Sequence, residues 1–363
     1  MTDIGIAGWG TAFPRAIRTS NDLARLTGLP AGVIREEFGV HQIYVAGPDE
    51  PPAALAAAAA RNALGMAGIR PAEVDMVIYH GSAYTDYPFW SIAAHIQHLL
   101  SAERAAAFEI GVTGGSTGIA LAALSSMMAN DPRLRHVLLV AASHDVDLAD
   151  YADPHTHFLI GLSAGAGALL LRRDQDENCL IGTAILTDGS LNEEIVVLAA
   201  GARQPSSAKT VRAGQRVLDV PDPDSLRHHL DQVSLSAFVQ VIRQAVERGG
   251  RSSADIAFLA VNHTKASFHA SLLAELGLRP EQSVYLSDFG HVHAADQVIA
   301  LEQGLRQGRI RPGDLVVLAG VGVGCTWSAA AIEWGPKPRL AMPSRLTQAG
   351  QSRRSAPAIN ITL

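Results

Sequence analysis

Ala105–Met128 reads AAAFEIGVTGGSTGIALAALSSMM: a short apolar run, a glycine-rich turn over 111–118, then a stretch with helical spacing. A strand passing through a tight turn directly into a helix is a building unit of α/β proteins. Ser283–Leu305, SVYLSDFGHVHAADQVIALEQGL, has the same order about 180 residues later. The flanks repeat too. Before the first stretch come a helix ending at GMAG, the segment RPAEVDMVIYHGS and a helix around Ile92–Leu100; after it comes RHVLLVAAS. Before the second come ERGG, SSADIAFLAVNH and a helix around Ser267–Leu276; after it comes GDLVVLAGVG. Asp75–Tyr79, Ala105–Ile110, Val137–Ala142, Ile256–Val261, Val284–Leu286 and Leu315–Ala319 read as buried strands, because each is a short, nearly continuous apolar run. Pro51-Pro52 opens an Ala-rich helix that stops near Gly68. The pattern predicts an internally duplicated α/β architecture.

Composition sets the outer bounds. The chain has 363 residues, 48% hydrophobic and 18% charged, so it can bury a large core and does not read as disordered. Lys and Arg number 29 against 35 Asp and Glu, a balance of -6, which argues against a phosphate-driven grip on nucleic acid. Cys179 and Cys325 stand far apart, with no C-x-x-C, so neither a disulfide framework nor a zinc ribbon is encoded. The nearly apolar stretch Phe158–Leu171 is too short to span a bilayer. The start, MTDIGIAGWG, has Asp3 where a signal peptide carries positive charge. A cytoplasmic protein with no membrane segment is expected. Three regions follow: 1–175, a first half carrying the glycine-rich turn; 176–335, a second half carrying the histidines; and 336–363, a Pro/Ser/Arg-rich tail. Residues 190–223 mix Gly, Pro and Ser without a period and read as a long connection of the kind that often covers a site.

Duplication predicts that the two turns meet at a pseudo-dyad. One contributes Ser116, at a helix start between glycines; the other contributes His291, five residues before Asp296. A serine hydroxyl needs a base to become a nucleophile, and an imidazole oriented by a carboxylate is the usual one. A helix N-terminus adds N–H groups able to hold an oxyanion. The plain alternative is that Ser116 caps a helix, His291 is a hydrogen-bonded core histidine and Asp296 is a first-turn charge. GGSTG also fits the G-x-S-x-G elbow of α/β hydrolases, but the order Ser, acid, His is not met and no HGGG-type loop precedes it. His263 directly follows a strand of the second half, at the end where α/β sites gather. A surface-loop role is open to it as well. His155 and His157, near Asp153, read as loop residues, and no metal-ligand spacing emerges.

From IGIAGWGTAFP to DLVVLAGVGVGCTWSAAAIEW, the chain resembles the beta-ketoacyl-ACP synthase III family of the thiolase fold. AAAFEIGVTGGSTGIAL resembles that family's nucleophile turn, VNHTKASFHA its histidine segment, and SDFGHVHAADQVIALEQGLRQGRIRPGDLVVLAGVGVGCTW its asparagine segment and closing glycine-rich turn. The resemblance implies a layered αβαβα sandwich and puts Ser116 at the cysteine position, His263 at the histidine and His291 at the asparagine, with a turn before Ser116 about two residues longer than usual. It also implies backbone oxyanion donors at Ser116 and Val323. Ser for Cys removes a partly ionised thiol and calls for a general base. The expectation is a homodimeric acyltransferase without a cofactor. It would take an acyl group from acyl-CoA or an acyl carrier protein onto Ser116 and pass it on, in the divergent polyketide branch of the family. Decarboxylative condensation with malonyl-ACP through His263 and His291 is the nearest alternative, and a non-catalytic partner subunit of a synthase is the third.

Overall fold

The computed structural model describes residues 3–336, apart from 112 and 230–232. The predicted tail, 336–363, falls outside them except for Pro336, which ends the last strand. One mixed sheet holds nine strands: β1 Ile4–Ala12, β2 Met76–Tyr79, β3 Ala106–Glu109, β4 His136–Ser143, β5 Gly165–Arg173, β6 Glu177–Thr187, β7 Ile256–Val261, β8 Leu315–Gly322 and β9 Thr326–Pro336. Among the described residues, six helices build the layers around it: α1 Pro52–Ala67, α2 Ile92–Leu100, α3 Ser116–Asn130, α4 Leu235–Arg248, α5 Ala266–Leu276 and α6 Ala295–Arg306. The spatial order is β7-β8-β9-β6-β1-β5-β4-β2-β3. Read outward from the middle, β1-β5-β4-β2 on one side is matched by β6-β9-β8-β7 on the other. The two halves join through a single antiparallel pairing, Gly5 with Cys179.

Layering follows from which helices are apolar on one face and which all round. α4 is amphipathic and covers β6 and β9 from outside; α1 covers β1 and β5. α3 and α6 lie between the halves: α3 packs on β9, β6 and β8, while α6 packs on β7, β5 and β1. In α6 every residue from Ala295 to Glu302 is buried, as a helix enclosed between the two halves of the sheet requires. The central core joins Leu121, Leu124 and Met128 of α3 to Val298 and Leu301 of α6 and to Ile78, Leu139, Val316 and Leu318 of the strands. Each such aliphatic side chain contributes roughly 1.5–3 kcal/mol on burial. Two further cores lie outside, one under α1 and α2, one under α4 and α5. The result is the five-layer αβαβα sandwich, the expected thiolase-like fold.

Local signals account for the ends. Pro52 opens α1 where its missing N–H costs nothing, and Gly68 closes it in the left-handed region at φ +65°. The duplication is visible in one hydrogen bond: Thr117 of α3 donates to Gln297 Oε1 of α6, 2.9 Å away and 180 positions later. One expected strand is not formed. Val284–Leu286 makes only an isolated bridge, Ser283 with Leu259, where the first half has β3. Among the described residues, no helix is long and apolar enough to cross a membrane. The connection 190–223 is not structureless: it carries a two-stranded ribbon, Val196–Val197 with Leu218–Asp219, and the helix Ala208–Arg212.

Candidate active site

The mutually parallel strands β2, β3 and β4 of the first half and β7 of the second, itself parallel to β8, lead into the loops where the chemistry gathers. β3 leads to the turn Thr113–Gly115, one turn of 3₁₀ helix, from which α3 starts. Two glycines are required there by close approach. A Cβ on Gly114 would lie 2.5 Å from the Val321 carbonyl oxygen, and one on Gly115 2.2 Å from that of Thr326. Their bare backbones let the β8–β9 turn of the second half close onto the first half. Thr113 sits in the left-handed region at φ +41°, where a β-branched residue is rare.

Ser116 is the first residue of α3 and is wholly buried. Its Oγ lies 2.5 Å from the His80 carbonyl, 2.6 Å from the Thr113 carbonyl and 2.9 Å from His80 Nδ1. The single hydroxyl proton goes to a carbonyl, so His80 Nδ1–H is the donor to Oγ. Burial pushes the His80 imidazole down to about 3, which keeps it neutral in that role. The expected bond from Ser116 to His291 is therefore replaced by one to His80. The reason is local: a serine in the first helical turn bonds back to the carbonyl three residues earlier, and this rotamer faces the end of β2.

The other half of the relay is formed. His291 Nδ1 lies 2.6 Å from Asp296 Oδ2, the five-residue step carrying the chain from the loop into the first turn of α6. Asp296 is fully buried and satisfied: Oδ1 accepts the Val292 N–H at 2.6 Å, and Oδ2 also accepts the His263 N–H at 2.8 Å. A carboxylate taking three N–H bonds inside a protein is a fixed, charged acceptor. With Nδ1–H so engaged, Nε2 of His291 is the free lone pair. His291 and His263 line one cleft, with Phe38, Phe158 and Lys265 on its walls. Burial pushes His263 down to about 4 despite the neighbouring Asp296 charge; its Nε2–H is directed at the Gly39 carbonyl, 3.4 Å away. The turns do meet: the Cβ direction of Gly114 points to within 3.8 Å of His291 Cε1.

Val323, at the β8–β9 turn, donates its backbone N–H to Thr113 Oγ1 at 3.1 Å. His155 and His157 lie on the turn Pro154–Leu159, which sends Phe158 and Leu159, but neither histidine, to the cleft wall. The 190–223 connection supplies none of the cleft's lining residues. Among the described residues, no cluster of three or more His, Cys, Asp or Glu is arranged to hold a metal ion; Cys179 is buried in β6, and Cys325 is half-buried in the β8–β9 turn.

Sequence reading missed a second imidazole–carboxylate pair. His293 Nε2 lies 2.5 Å from Asp145 Oδ2, an ion-pair approach rather than an aligned hydrogen bond, and Ser82 Oγ donates to Asp145 Oδ1 at 2.6 Å. Burial alone would lower the His293 pKa and raise that of Asp145. Their mutual attraction outweighs it, so His293 is raised and Asp145 lowered. The His291 and His293 rings lie 4.6 Å apart. His-x-His in the loop was the available signal; its carboxylate, 148 positions away, gave none.

Comparison with known proteins identifies the family of the fold that carries these residues. Residues 108–189 match the family 3-oxoacyl-(acyl-carrier-protein) synthase III, and residues 246–334 its C-terminal region. The chain is 30% identical to the beta-ketoacyl-(acyl-carrier-protein) synthase III of Symbiobacterium thermophilum over 92% of its own length and 98% of that protein's. It is 29% identical to the enzyme of Roseiflexus castenholzii, covering 91% and 97%. In structure it is similar to the synthase III of Thermus thermophilus, with a TM-score of 0.79 at 23% identity, over 92% of this chain and 99% of that one. Likeness along the whole sandwich, from β1 to β9, shows that the chain belongs to the beta-ketoacyl-(acyl-carrier-protein) synthase III family.

Proposed function

We propose that this family member is an acyltransferase that moves an acyl group from acyl-CoA or an acyl carrier protein to a carrier protein or small-molecule acceptor. The acyl group rides on a hydroxyl of the turn 113–118, where the sequence puts Ser116 forward. The observation that carries the reading is the pair His291–Asp296, 2.6 Å apart at the cleft with Nε2 unengaged. An oriented imidazole is the group that a hydroxyl nucleophile needs and a thiolate can do without. His291 Nε2 takes the hydroxyl proton, the oxygen attacks the thioester carbon, and backbone N–H groups at Val323 and Ser116 meet the developing oxyanion. Loss of one such donor typically costs about 10²- to 10³-fold in kcat. His263, tied to the same carboxylate, lines the same cleft. No cofactor enters the scheme. We place it in a polyketide or related natural-product setting, on the ground that His and a hydroxyl stand where the family resemblance implies Asn and Cys. A cytoplasmic homodimer completes the reading; the open edge of β3, with Phe108 exposed on it, supports a second subunit there.

Decarboxylative condensation is the second reading, favoured by the sharing of Asp296 between His263 and His291. Purified protein incubated with an acyl-CoA panel, followed by intact mass, tests the first reading: an acyl adduct and transfer to an added acceptor are expected. Carbon dioxide released from malonyl-ACP, with no transfer to other acceptors, would replace it with the second.

A further inference from the structure

Resting on the acyl-transfer reading above, we infer that the hydroxyl that takes the acyl group is that of Thr113, and that Ser116 is its positioning residue. Ser116 Oγ is closed on every side. Its proton is committed to a carbonyl, its lone pair to His80 Nδ1–H, and no part of it is exposed. Thr113 is partly exposed, and its Oγ1 stands 3.1 Å from the Val323 N–H, the backbone donor that the closing turn supplies. It is bonded to Gly114, whose Cβ side faces the second half: a methyl there would lie 2.5 Å from the Val321 carbonyl oxygen and 3.8 Å from His291 Cε1. Its place, between strand β3 and helix α3 at φ +41°, is that of a strained nucleophile on a strand–turn–helix elbow. Glycine or asparagine would occupy that conformation more easily, so a threonine there points to use of its side chain. Ser116 holds the elbow shut through its contact with the Thr113 carbonyl, while the Val323 N–H bonds the threonine hydroxyl.

The step balances. The Thr113 Oγ–H proton passes to His291 Nε2 as the Oγ–C bond forms, and the carbonyl electron pair moves onto oxygen. The Val323 N–H exchanges Oγ1 for that oxyanion. On collapse the C–S bond breaks, and the leaving thiolate takes the proton back from His291, departing as a thiol and leaving an ester on Thr113. An acceptor hydroxyl or thiol then repeats the sequence in reverse, returning the proton to Thr113.

The test is fragment-ion mapping of protein treated with acetyl-, butyryl- and octanoyl-CoA, using wild type, Thr113→Val, Thr113→Cys and Ser116→Ala. The acyl mass is expected on Thr113, absent in Thr113→Val, and formed at least tenfold faster in Thr113→Cys, where iodoacetamide blocks it. In Ser116→Ala it forms more slowly at the same residue. Thr113→Cys keeps the question open to decision if the valine variant fails to fold. An adduct on Ser116, or acyl transfer undiminished in Thr113→Val, overturns the assignment while leaving acyl transfer intact. No adduct and no acyl-CoA consumption by wild type and Thr113→Cys alike overturns both.

Discussion

Replacing Asp296 by Asn separates charge from shape at the centre of the site. The carboxylate accepts three N–H groups: His291 Nδ1 and the His263 backbone at Oδ2, and the Val292 backbone at Oδ1. An amide has one acceptor oxygen. Placed at the Oδ2 position, it keeps two of the three donors but turns its NH₂ toward the Val292 N–H, only 2.6 Å from the oxygen it replaces. Flipped, it keeps one. In the better case two buried donors face each other unsatisfied, at roughly 1–3 kcal/mol apiece, and the retained bonds lose their charge assistance. A loss of about 3–4 kcal/mol is expected, large beside a total stability of about 5–15 kcal/mol yet compatible with folding. In the flipped case the amide donates to His291 Nδ1, moving the ring proton to Nε2 and removing the base. The same substitution in a serine-protease triad costs about 10⁴ in kcat, and a loss on the order of 10³ or more is expected for acyl transfer. Urea unfolding followed by far-UV circular dichroism gives the first number, and initial transfer rates at saturating acyl-CoA the second. A variant with an unchanged urea midpoint and activity within threefold of wild type would refute both the three-donor accounting and the dyad.

Burial holds His80 at about 3 and His263 and His269 at about 4, all below the ordinary 6.5. The unfolded chain therefore binds these protons first, and stability falls as pH drops from about 6.5 toward 4, by up to about 3 kcal/mol for each of His263 and His269; a flat urea midpoint across that range would contradict this. His293→Phe should destabilise by about 3–5 kcal/mol by stranding the buried Asp145 charge. Because the His293 pKa is raised, its contribution is full below pH 6.5 and fades as pH climbs through the raised value. The gap to wild type in thermal shift should narrow between pH 6 and 9, and an equal gap at both would rule out the ion pair. Gly115→Ala should cost about 2 kcal/mol or more, since the new methyl meets the Thr326 and Gly322 backbones, which no rotamer change relieves; a melting temperature at the wild-type value would show that the two halves are less tightly closed.

The fold was readable because duplication writes each element twice. β2 and β7 start 180 positions apart, β4 and β8 179, and the helices that follow the two turns bond across the middle through Thr117 and Gln297. The repeat failed at Val284–Leu286, where a short apolar run stood at the place of β3. A run that short is apolar whether it pairs along its length or only touches the sheet at Ser283, and its neighbours decide which.

At the site, what the sequence could reveal divides by distance along the chain. His291 and Asp296 are five residues apart, and the geometry between them is set by a loop entering a helix, so composition and spacing were enough. Ser116 and His291 were joined by symmetry instead, and symmetry brings backbones together without fixing which side chain looks across. The helix start decides that. Ser116, in the first turn, bonds back to its own strand-side neighbours, while the residue three earlier is left facing the second half. That residue is a threonine in a conformation that β-branched side chains seldom take, so no propensity rule would have selected it. The long turn before Ser116 was the one sequence feature pointing away from it: extra residues there displace the helix start from the elbow, and the hydroxyl at the elbow, not the one at the helix start, meets the closing turn's N–H.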